Sequence, residues 1–329
     1  MASEDFLCAA GWGDARVIPL AGDASARRYE RLIRGNDSAV LMRAPVDPVE
    51  QVRFSRLARW LTDHGFSAPQ ILAEAPDQGL MLLEDLGDDL LARLIAADPA
   101  REGPLYAEVT DFLTALHQHP APDFVAPLDG PALGSLVQMT LDWYLPIAGG
   151  SGCTALPGAI AALYEALNQE APVLALRDFH AENLLWLPAR AGTARLGLLD
   201  FQDAVAAHPG YDLISALQDA RRDVSAAVAA REIARYASQN GLDQSRFAAL
   251  CALLGLQRNL RILGVFTRLC LAMGKAHYVD LIPRVWRHIQ HNLTHPALAE
   301  LAALMAEMPA PTPEILHRIQ NQCGQHPMR

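Results

Sequence analysis

Two short apolar segments of the chain each end in an aspartate, and this pattern constrains the fold more than any other feature. Residues 173–176 lead, through one arginine, into Asp178, and residues 196–199 lead directly into Asp200. Asn183 follows Asp178 by five residues, and Asp200 follows it by 22. Carboxylate and amide oxygens are the ligands that a hard cation such as Mg²⁺ prefers. The pattern therefore indicates a polar site carried by short strands.

The same order is typical of kinase-type phosphoryl transfer. There, an aspartate of the catalytic loop is followed five residues later by an asparagine, and then by a strand that ends in a metal-binding aspartate. Asp178 is then the predicted base that orients the acceptor hydroxyl, and Asn183 and Asp200 are the predicted metal ligands. Taken alone, the first segment is ordinary turn chemistry. The second strand and the strand-rich region upstream favour the kinase interpretation.

The order of predicted elements indicates an α+β fold with two lobes. Helical spacing prevails after residue 106, whereas the first 85 residues contain mainly short alternating runs and one helix that begins after Asp47-Pro48. A chain of 329 residues also exceeds one ordinary core. We expect a small β-rich N-lobe over residues 1–87 and a larger, mostly helical C-lobe over residues 88–329. Strands are predicted near residues 15–20, 27–34, 38–44, 70–75 and 80–84.

Several segments carry a resemblance to a known family. The stretch from Arg177 to Asn183, together with Leu199-Asp200-Phe201, resembles the aminoglycoside phosphotransferase/choline kinase superfamily over most of the chain. Four further segments resemble one branch, the bacterial anomeric kinases of N-acetylmuramate and N-acetylglucosamine: residues 22–29, 82–87, 207–213 and 218–224. The resemblance implies a bilobal protein-kinase-like fold, ATP as phosphate donor with Mg²⁺, and an amino-sugar acceptor in peptidoglycan recycling.

The resemblance also assigns residues to the nucleotide. Residues 22–26 are the loop expected to cover the phosphates, which makes Asp23 and Ser25 candidates for nucleotide binding. This loop contains only one glycine, so an ordinary hairpin is the alternative interpretation. Residues 82–85 are the expected hinge, whose backbone pairs with adenine, and Glu84 and Leu86 are the nucleotide candidates there.

One departure from the family pattern concerns the phosphates. Related kinases hold them with a lysine on the third strand, but residues 40–44 contain none, and Lys275 is the only lysine among 27 basic residues. We predict that Arg43 replaces the lysine, with Arg28 as the second choice and Glu50 as the carboxylate partner. The alternative is that these charges are solvated at the edge of the sheet.

The charge distribution bears on the acceptor. A net charge of −10 argues against a nucleic-acid partner. Residues 1–210 hold 14 Lys+Arg against 28 Asp+Glu, whereas residues 211–329 hold 13 against 9. A polycationic aminoglycoside favours an acidic pocket, so the basic last third suits a neutral or anionic sugar. The candidates for acceptor contacts are Arg222, Arg258 and Arg261, which could bind a lactyl carboxylate, together with Asp203 and His208.

The remaining features predict a cytoplasmic enzyme without a membrane partner. No apolar run is expected to reach the length of about 18 residues that a membrane span needs, and the acidic N-terminus is unlike a signal peptide. Five scattered cysteines indicate reduced thiols. Two alternatives stay open: another acceptor of the same superfamily, such as an aminoglycoside, choline or homoserine, or a pseudokinase that binds nucleotide and serves as a regulatory module.

Overall fold

The computed structural model describes residues 2–20 and 27–326. The chain forms two compact units, each built from two segments of sequence. Unit 1 comprises Met1–Arg101 and Ala181–Asp203, and unit 2 comprises Glu102–His180 and Ala204–Arg329. This grouping differs from the sequence-based boundary at residue 87, because residues 88–101 and the hairpin that carries Asn183 and Asp200 pack with the first unit.

The described strands are β1 (Arg16–Pro19), β2 (Arg28–Arg34), β3 (Asp37–Arg43), β4 (Ile71–Ala75), β5 (Leu80–Glu84), β6 (Ala126–Pro127), β7 (Val173–Ala175), β8 (Leu184–Trp186), β9 (Leu196–Leu198) and β10 (Val205–Ala207). They form a five-stranded antiparallel sheet in the order β1-β2-β3-β5-β4, a three-stranded sheet in the order β6-β10-β7 and a two-stranded hairpin, β8-β9. The five strands predicted in the first 85 residues are all present, within about two residues of the expected bounds.

Helices occupy most of unit 2, as the helical spacing predicted, and three more lie in unit 1, of which sequence reasoning anticipated only the second. The helices are α1 (Ala2–Ala9), α2 (Pro48–Asp63), α3 (Leu91–Ala97), α4 (Glu102–Leu116), α5 (Gly130–Leu136), α6 (Gln138–Ile147), α7 (Leu156–Leu167), α8 (Gly210–Leu217), α9 (Ala226–Gln239), α10 (Gln244–Met273), α11 (Ile282–Leu293), α12 (Ala299–Met305) and α13 (Pro313–Asn321). Short 3₁₀ helices span Pro76–Gln78, Pro99–Arg101, Gly192–Arg195, Ala276–Leu281 and Pro296–Leu298.

The large sheet of unit 1 buries side chains on both faces. On one face, Leu32 and Leu41 pack with Leu7 and Trp12, which belong to α1 and the turn after it. Side chains on the opposite face, such as that of Met42 with 1% exposure, are also buried. Helix α2 connects β3 to β4, and it begins where the Asp47 side chain accepts hydrogen bonds from the backbone N–H groups of its first turn, including that of Glu50 at 3.2 Å.

Helix α10 is the central element of the unit 2 core. Within the described residues it is the one helix that is long and apolar enough to cross a membrane, contrary to the expectation that no apolar run would reach that length. However, 78% of its apolar window is buried inside the protein, as in the core helix of a soluble protein. Gly264 lets α6 approach closely, because an added Cβ would lie 2.4 Å from the backbone of Met139.

Short strands carry the two aspartates singled out in the sequence. In unit 2, β7 pairs antiparallel with β10 and leads into Asp178. In unit 1, β9 pairs with β8 in the register Leu184↔Leu198 and leads into Asp200. Each aspartate therefore leaves a strand whose backbone hydrogen bonds fix its starting point.

Candidate active site

Asp200 lies at the open end of the β8-β9 hairpin in unit 1. Its backbone has φ 54°, in the left-handed region that costs free energy for a residue other than glycine and that occurs often at functional sites. The carboxylate accepts a hydrogen bond from Gln202 Nε2 at 2.8 Å, and its side chain is 48% exposed. The next residue, Phe201, is buried and stacks on Phe54 of α2 at 5.0 Å between ring centroids. The hairpin thus presents a fixed, accessible carboxylate.

Arg27, just before β2, is the buried cation nearest to this carboxylate. The arginine is 7% exposed, and its Nη2 donates a hydrogen bond to Oε1 of Glu50 on α2. Its Nη1 lies 4.0 Å from Oδ1 of Asp200. Tyr29 shares these surroundings: burial raises the pKa of its hydroxyl, while the charge of Arg27 acts in the opposite direction. Sequence reasoning predicted Glu50 as the partner of a phosphate-binding cation but did not consider Arg27.

The donor set around Asp200 suits Mg²⁺. The backbone of Asn183 accepts a hydrogen bond from Leu199 N at 2.9 Å, which places the asparagine beside the residue that precedes Asp200. No group of three or more His, Cys, Asp or Glu side chains in residues 2–20 and 27–326 could hold a metal alone. Mg²⁺ is usually bound by one or two carboxylates together with substrate phosphates and water. One carboxylate and one amide oxygen are consistent with that mode.

The segment after β5 lines a pocket of about 230 Å³ in unit 1. Its walls are residues 85–89 and 186–190, so Leu86 faces it, whereas Glu84 lies outside its lining. The Glu84 carboxylate instead accepts a hydrogen bond from Arg190 Nη2 at 2.5 Å. Arg31 of β2 binds both Asp85 and Asp88, and its hydrogen bond lowers the pKa of Asp88. These ion pairs hold the expected hinge in place.

The other described nucleotide and acceptor candidates of unit 1 are exposed or bind an oppositely charged side chain. Arg28 is exposed, and Arg43 donates through Nε to Glu30 at 2.8 Å. Asp203 is exposed and lies 3.9 Å from Arg53. Asp23 and Ser25 lie outside the described residues. Arg27, rather than Arg28 or Arg43, is therefore the arginine that the structure places beside Asp200 and Glu50.

In unit 2, the backbone just before Asp178 is held by Asp212 of α8. The buried Asp212 carboxylate accepts hydrogen bonds from the backbone N–H groups of Leu176 at 2.5 Å and Arg177 at 3.0 Å. Ser215 of the same helix donates to Arg177 O at 3.0 Å, and Arg177 adopts φ 70°. These contacts fix the direction in which Asp178 leaves the strand. Asp212 lies in a segment that carried the family resemblance, but its role depends on tertiary contacts that the sequence does not reveal.

Asp178 itself is half-buried beside a cluster of buried polar groups. Burial lowers the pKa of Arg258 on α10, whereas the negative charges of Asp178 and Asp219 raise it. Burial also raises the pKa of Asp219. Three atoms of this cluster have no hydrogen-bond partner within the described residues: Arg258 Nη1, Asp219 Oδ2 and the Tyr211 hydroxyl. Buried polar atoms normally have partners, so these atoms are suited to a polar ligand or water.

Neighbouring arginines surround the same cluster. Arg221 Nη1 donates to Nε2 of His180 at 3.1 Å, and burial lowers the pKa of that histidine well below its usual value. Arg222 lies over the ring of Tyr106 and donates to its hydroxyl at 3.4 Å. The positive charges of Arg221, Arg258 and Arg222 all lower the pKa of Asp219, so all three act on this carboxylate.

The remaining predicted acceptor residues differ from this group. Arg261 is half-buried on α10, one turn after Arg258, and its charge lowers the pKa of Arg258. His208 is buried, and both of its ring nitrogens are used inside the protein. Its Nδ1 accepts from Gly210 N at 3.0 Å, and its Nε2 lies 3.2 Å from Glu170 Oε2. This histidine therefore packs in the helical core, which gives no support to its predicted contact with the acceptor.

Comparison with known proteins identifies the family of the chain. Residues 16–248 match the phosphotransferase enzyme family. The chain belongs to that family. An N-acetylmuramate/N-acetylglucosamine kinase of Caulobacter vibrioides is 42% identical, over 91% of this chain and 93% of the relative. A protein of the same name from Pseudomonas aeruginosa is 30% identical, over 93% of each chain. A choline/ethanolamine kinase family protein from Mesorhizobium loti has the same fold, with a TM-score of 0.58 at 14% identity over 97% of this chain and 98% of that one.

Membership of the phosphotransferase enzyme family confirms the main expectations from the sequence. The chain is a kinase that acts on a small molecule and uses ATP as its phosphate donor. Its fold is the protein-kinase-like α+β fold of the aminoglycoside and choline kinases, with a strand-rich N-terminal region and a helical C-terminal region.

Proposed function

We propose that this kinase transfers the γ-phosphate of ATP to the anomeric hydroxyl of N-acetylmuramate or N-acetylglucosamine, with Mg²⁺, in the cytoplasmic recycling of cell-wall sugars. One observation carries the choice of acceptor. The relative with 42% identity, itself called an N-acetylmuramate/N-acetylglucosamine kinase, matches 91% of the chain and so includes most of both units. Similarity over both units, rather than over the nucleotide-binding region alone, supports the same acceptor for this chain.

The residues of unit 2 supply the proton transfer in this proposal. The acceptor oxygen forms a bond to the γ-phosphorus while the bond from that phosphorus to the bridging oxygen breaks, and ADP leaves with the electron pair. The carboxylate of Asp178 orients the acceptor hydroxyl and takes its proton. Asp212 keeps the backbone of Leu176 and Arg177 in place, which positions Asp178. Preorganisation of this kind avoids the cost of reorientation during the reaction.

The residues of unit 1 support the donor. Asn183 and Asp200 would hold Mg²⁺, whose charge compensates the phosphate oxygens as transfer proceeds. Glu50 and Asp200 lie on either side of the Arg27 guanidinium, so positive charge is already present beside the proposed metal ligand. The pocket lined by residues 85–89 belongs to the segment that the family resemblance assigns to the hinge.

The charge balance of unit 2 favours a neutral or anionic acceptor. Arg221, Arg222 and Arg258 act on one buried carboxylate, Asp219, in the neighbourhood of Asp178. A polycationic aminoglycoside would be repelled by these three guanidinium groups. The carboxylate of N-acetylmuramate could instead compensate this charge, and Arg221 and Arg222 are the two half-buried members of the set.

A panel of acceptors tests the assignment. ADP release is measured with N-acetylmuramate, N-acetylglucosamine, kanamycin, choline and homoserine, for the wild-type enzyme and for an Arg222→Gln variant. We expect turnover with the two amino sugars only. In the variant, kcat/KM for N-acetylmuramate should fall about tenfold more than that for N-acetylglucosamine, since only the former carries a carboxylate. Turnover of kanamycin or choline with inert amino sugars would overturn the acceptor class.

A further inference from the structure

Strands β2 and β3 of the large sheet place Arg28 and Arg43 on the same face. Strands β2 and β3 pair so that Arg28 lies opposite Arg43 and Tyr29 lies opposite Met42. Side chains alternate between the faces of a strand. Leu32 and Leu41 pack against α1, so Arg28 and Arg43 share that face, and Tyr29 and Met42 take the other one.

Arg27 serves the face on which Met42 lies. Its guanidinium contacts Glu50 and lies near Asp200, and both carboxylates also act on the hydroxyl of Tyr29, the cross-strand neighbour of Met42. Met42 is almost fully buried and carries no charge. Arg31, two residues after Tyr29 on the same face, binds Asp85 and Asp88. Beside Glu50 and Asp200, the positive charge comes from Arg27 at the start of β2.

We propose that Arg27 is the cation that holds the nucleotide phosphates of this kinase, in place of the strand lysine that the chain lacks. The inference rests on the proposed function only in that the ligand is ATP. A guanidinium carries five N–H donors in a planar fork, so it can keep its hydrogen bond to Glu50 and also donate to phosphate oxygens. The distance of 4.0 Å between Arg27 Nη1 and Asp200 Oδ1 is too long for a hydrogen bond, so this contact is an ion pair.

A purely structural ion pair is the competing explanation for Arg27. An arginine between a helix carboxylate and a hairpin carboxylate could simply connect α2 to the β8-β9 hairpin. In that case its loss would lower stability and would weaken all ligands of unit 1 alike. A phosphate-binding role instead predicts a loss that grows with the number of phosphates on the ligand.

Calorimetric titration with adenosine, ADP and ATP, in excess Mg²⁺ and without acceptor, separates these explanations. Arg27→Gln removes the charge but retains a donor for Glu50. We expect its affinity for ATP and ADP to fall about ten- to hundredfold, the range of charge-assisted hydrogen bonds, with adenosine affinity unchanged. The matched control is Arg59→Met, which removes another arginine–carboxylate pair of unit 1, at 2.6 Å to Glu74, and should leave all three affinities unchanged.

A rescue experiment provides the second test. The double variant Arg27→Met/Met42→Lys moves the cation onto β3 and should recover most of the ATP affinity that Arg27→Met loses. Equal weakening of adenosine and ATP, or full ATP affinity in Arg27→Gln, would overturn the proposal. A loss of ATP and ADP affinity in Arg43→Ala, with unchanged adenosine affinity and no such loss in Arg27→Gln, would also overturn it. If Arg27→Met does not fold, Arg27→Gln and the double variant decide alone. Since no acceptor is present, a wrong acceptor assignment cannot affect these results.

Discussion

The acidic side chains of the two candidate sites differ in their exposure to solvent. In unit 1, the carboxylates of Asp200 and Glu50 are each 48% exposed, although both lie beside the buried guanidinium of Arg27. In unit 2, Asp212 and Asp219 are 1% exposed and Arg258 is 6% exposed, so the polar groups near Asp178 lie in a desolvated interior. Accessible charges suit a highly charged, hydrated ligand such as ATP with Mg²⁺. A desolvated cluster suits a ligand recognised by directed hydrogen bonds, such as a sugar.

The largest expected effect concerns the base of unit 2. Asp178→Asn should lower kcat about 10²- to 10⁴-fold, the usual contribution of a general base, with little change in the Kd of ATP. Steady-state turnover and calorimetry check the two parts separately. Asp142→Asn, at an exposed position of α6, is the matched control and should keep wild-type activity. Wild-type kcat in Asp178→Asn would show that this carboxylate is not the base.

The corresponding test of unit 1 replaces the exposed carboxylate. Asp200→Ala should abolish the part of the ATP affinity that depends on Mg²⁺, because the metal loses its carboxylate ligand. Titrations with ATP in the presence of Mg²⁺ and of a chelator give that part directly, and we expect a decrease of about tenfold or more. Asp37→Ala, at the exposed first residue of β3, serves as the control. The same Mg²⁺ dependence in Asp200→Ala and wild type would contradict the assignment.

Asp212 tests whether the buried carboxylate of unit 2 positions the base. Asp212→Asn places an amide N–H₂ against one of the two backbone donors of Leu176 and Arg177, which leaves that donor unsatisfied. We expect a loss of about 1–3 kcal/mol in the free energy of unfolding. Misplacement of Asp178 should also lower kcat, by up to about a hundredfold. ATP affinity should not change, since the hydrogen bonds of Asp212 go to the backbone that precedes the base.

A reduction in stability without any reduction in kcat would limit Asp212 to a structural role. The measurements are denaturant unfolding and single-turnover phosphorylation, performed on the same preparation. Ser215→Ala removes the other hydrogen bond from α8 to this segment and should show the same pattern with smaller amplitude.

The smallest expected effect is a pH dependence of stability that arises in unit 2. Burial lowers the pKa values of four histidines there, to about 3 for His117 and about 4 for His288, and also those of His180 and His208. The unfolded chain binds protons at these residues near pH 6.5, whereas the folded chain does not. Their contribution to stability is therefore present above about pH 6.5 and is lost as the pH falls.

Buried aspartates act in the opposite direction. Burial raises the pKa of Asp212 to about 7, so its contribution is present at low pH and is lost as the pH rises through about 7. The histidines outnumber the buried aspartates, and we expect Tm to fall between pH 7 and pH 5. His288→Gln should reduce the number of protons taken up on unfolding by about one, and the fall of Tm with pH should become shallower. His64→Gln, at an exposed position of unit 1, should change neither quantity. An unchanged slope in His288→Gln would exclude this origin.

The two units also differed in how much the sequence could predict. Strands of unit 1 and the segments before Asp178 and Asp200 were predictable, because strand alternation and the spacing to Asn183 are local signals. The choice between Arg27 and Arg28 was not predictable in the same way. It depends on where β2 begins, and a shift of one residue moves every side chain to the other face.

In unit 2, the residues that sequence reasoning missed act through long-range contacts. Asp212 meets the backbone 35 residues earlier in the chain, and no local pattern indicates that pairing. His208 is the reverse case: it lies in a segment with family resemblance, but its ring nitrogens contact Glu170 and Gly210, so the packing gives no support to its predicted contact with the acceptor. The family resemblance marks this segment of the chain. The direction in which each of its side chains points depends on the packing and is not visible in the sequence.

The most direct test of the account is the position of the transferred phosphate. N-acetylmuramate is incubated with ATP and Mg²⁺, and the product is examined by phosphorus–proton correlation NMR. We expect a cross-peak between the new phosphorus signal and the anomeric proton with the wild-type enzyme, and none with Asp178→Asn. Release of inorganic phosphate alone, or a cross-peak to a proton on any other sugar carbon, would contradict it.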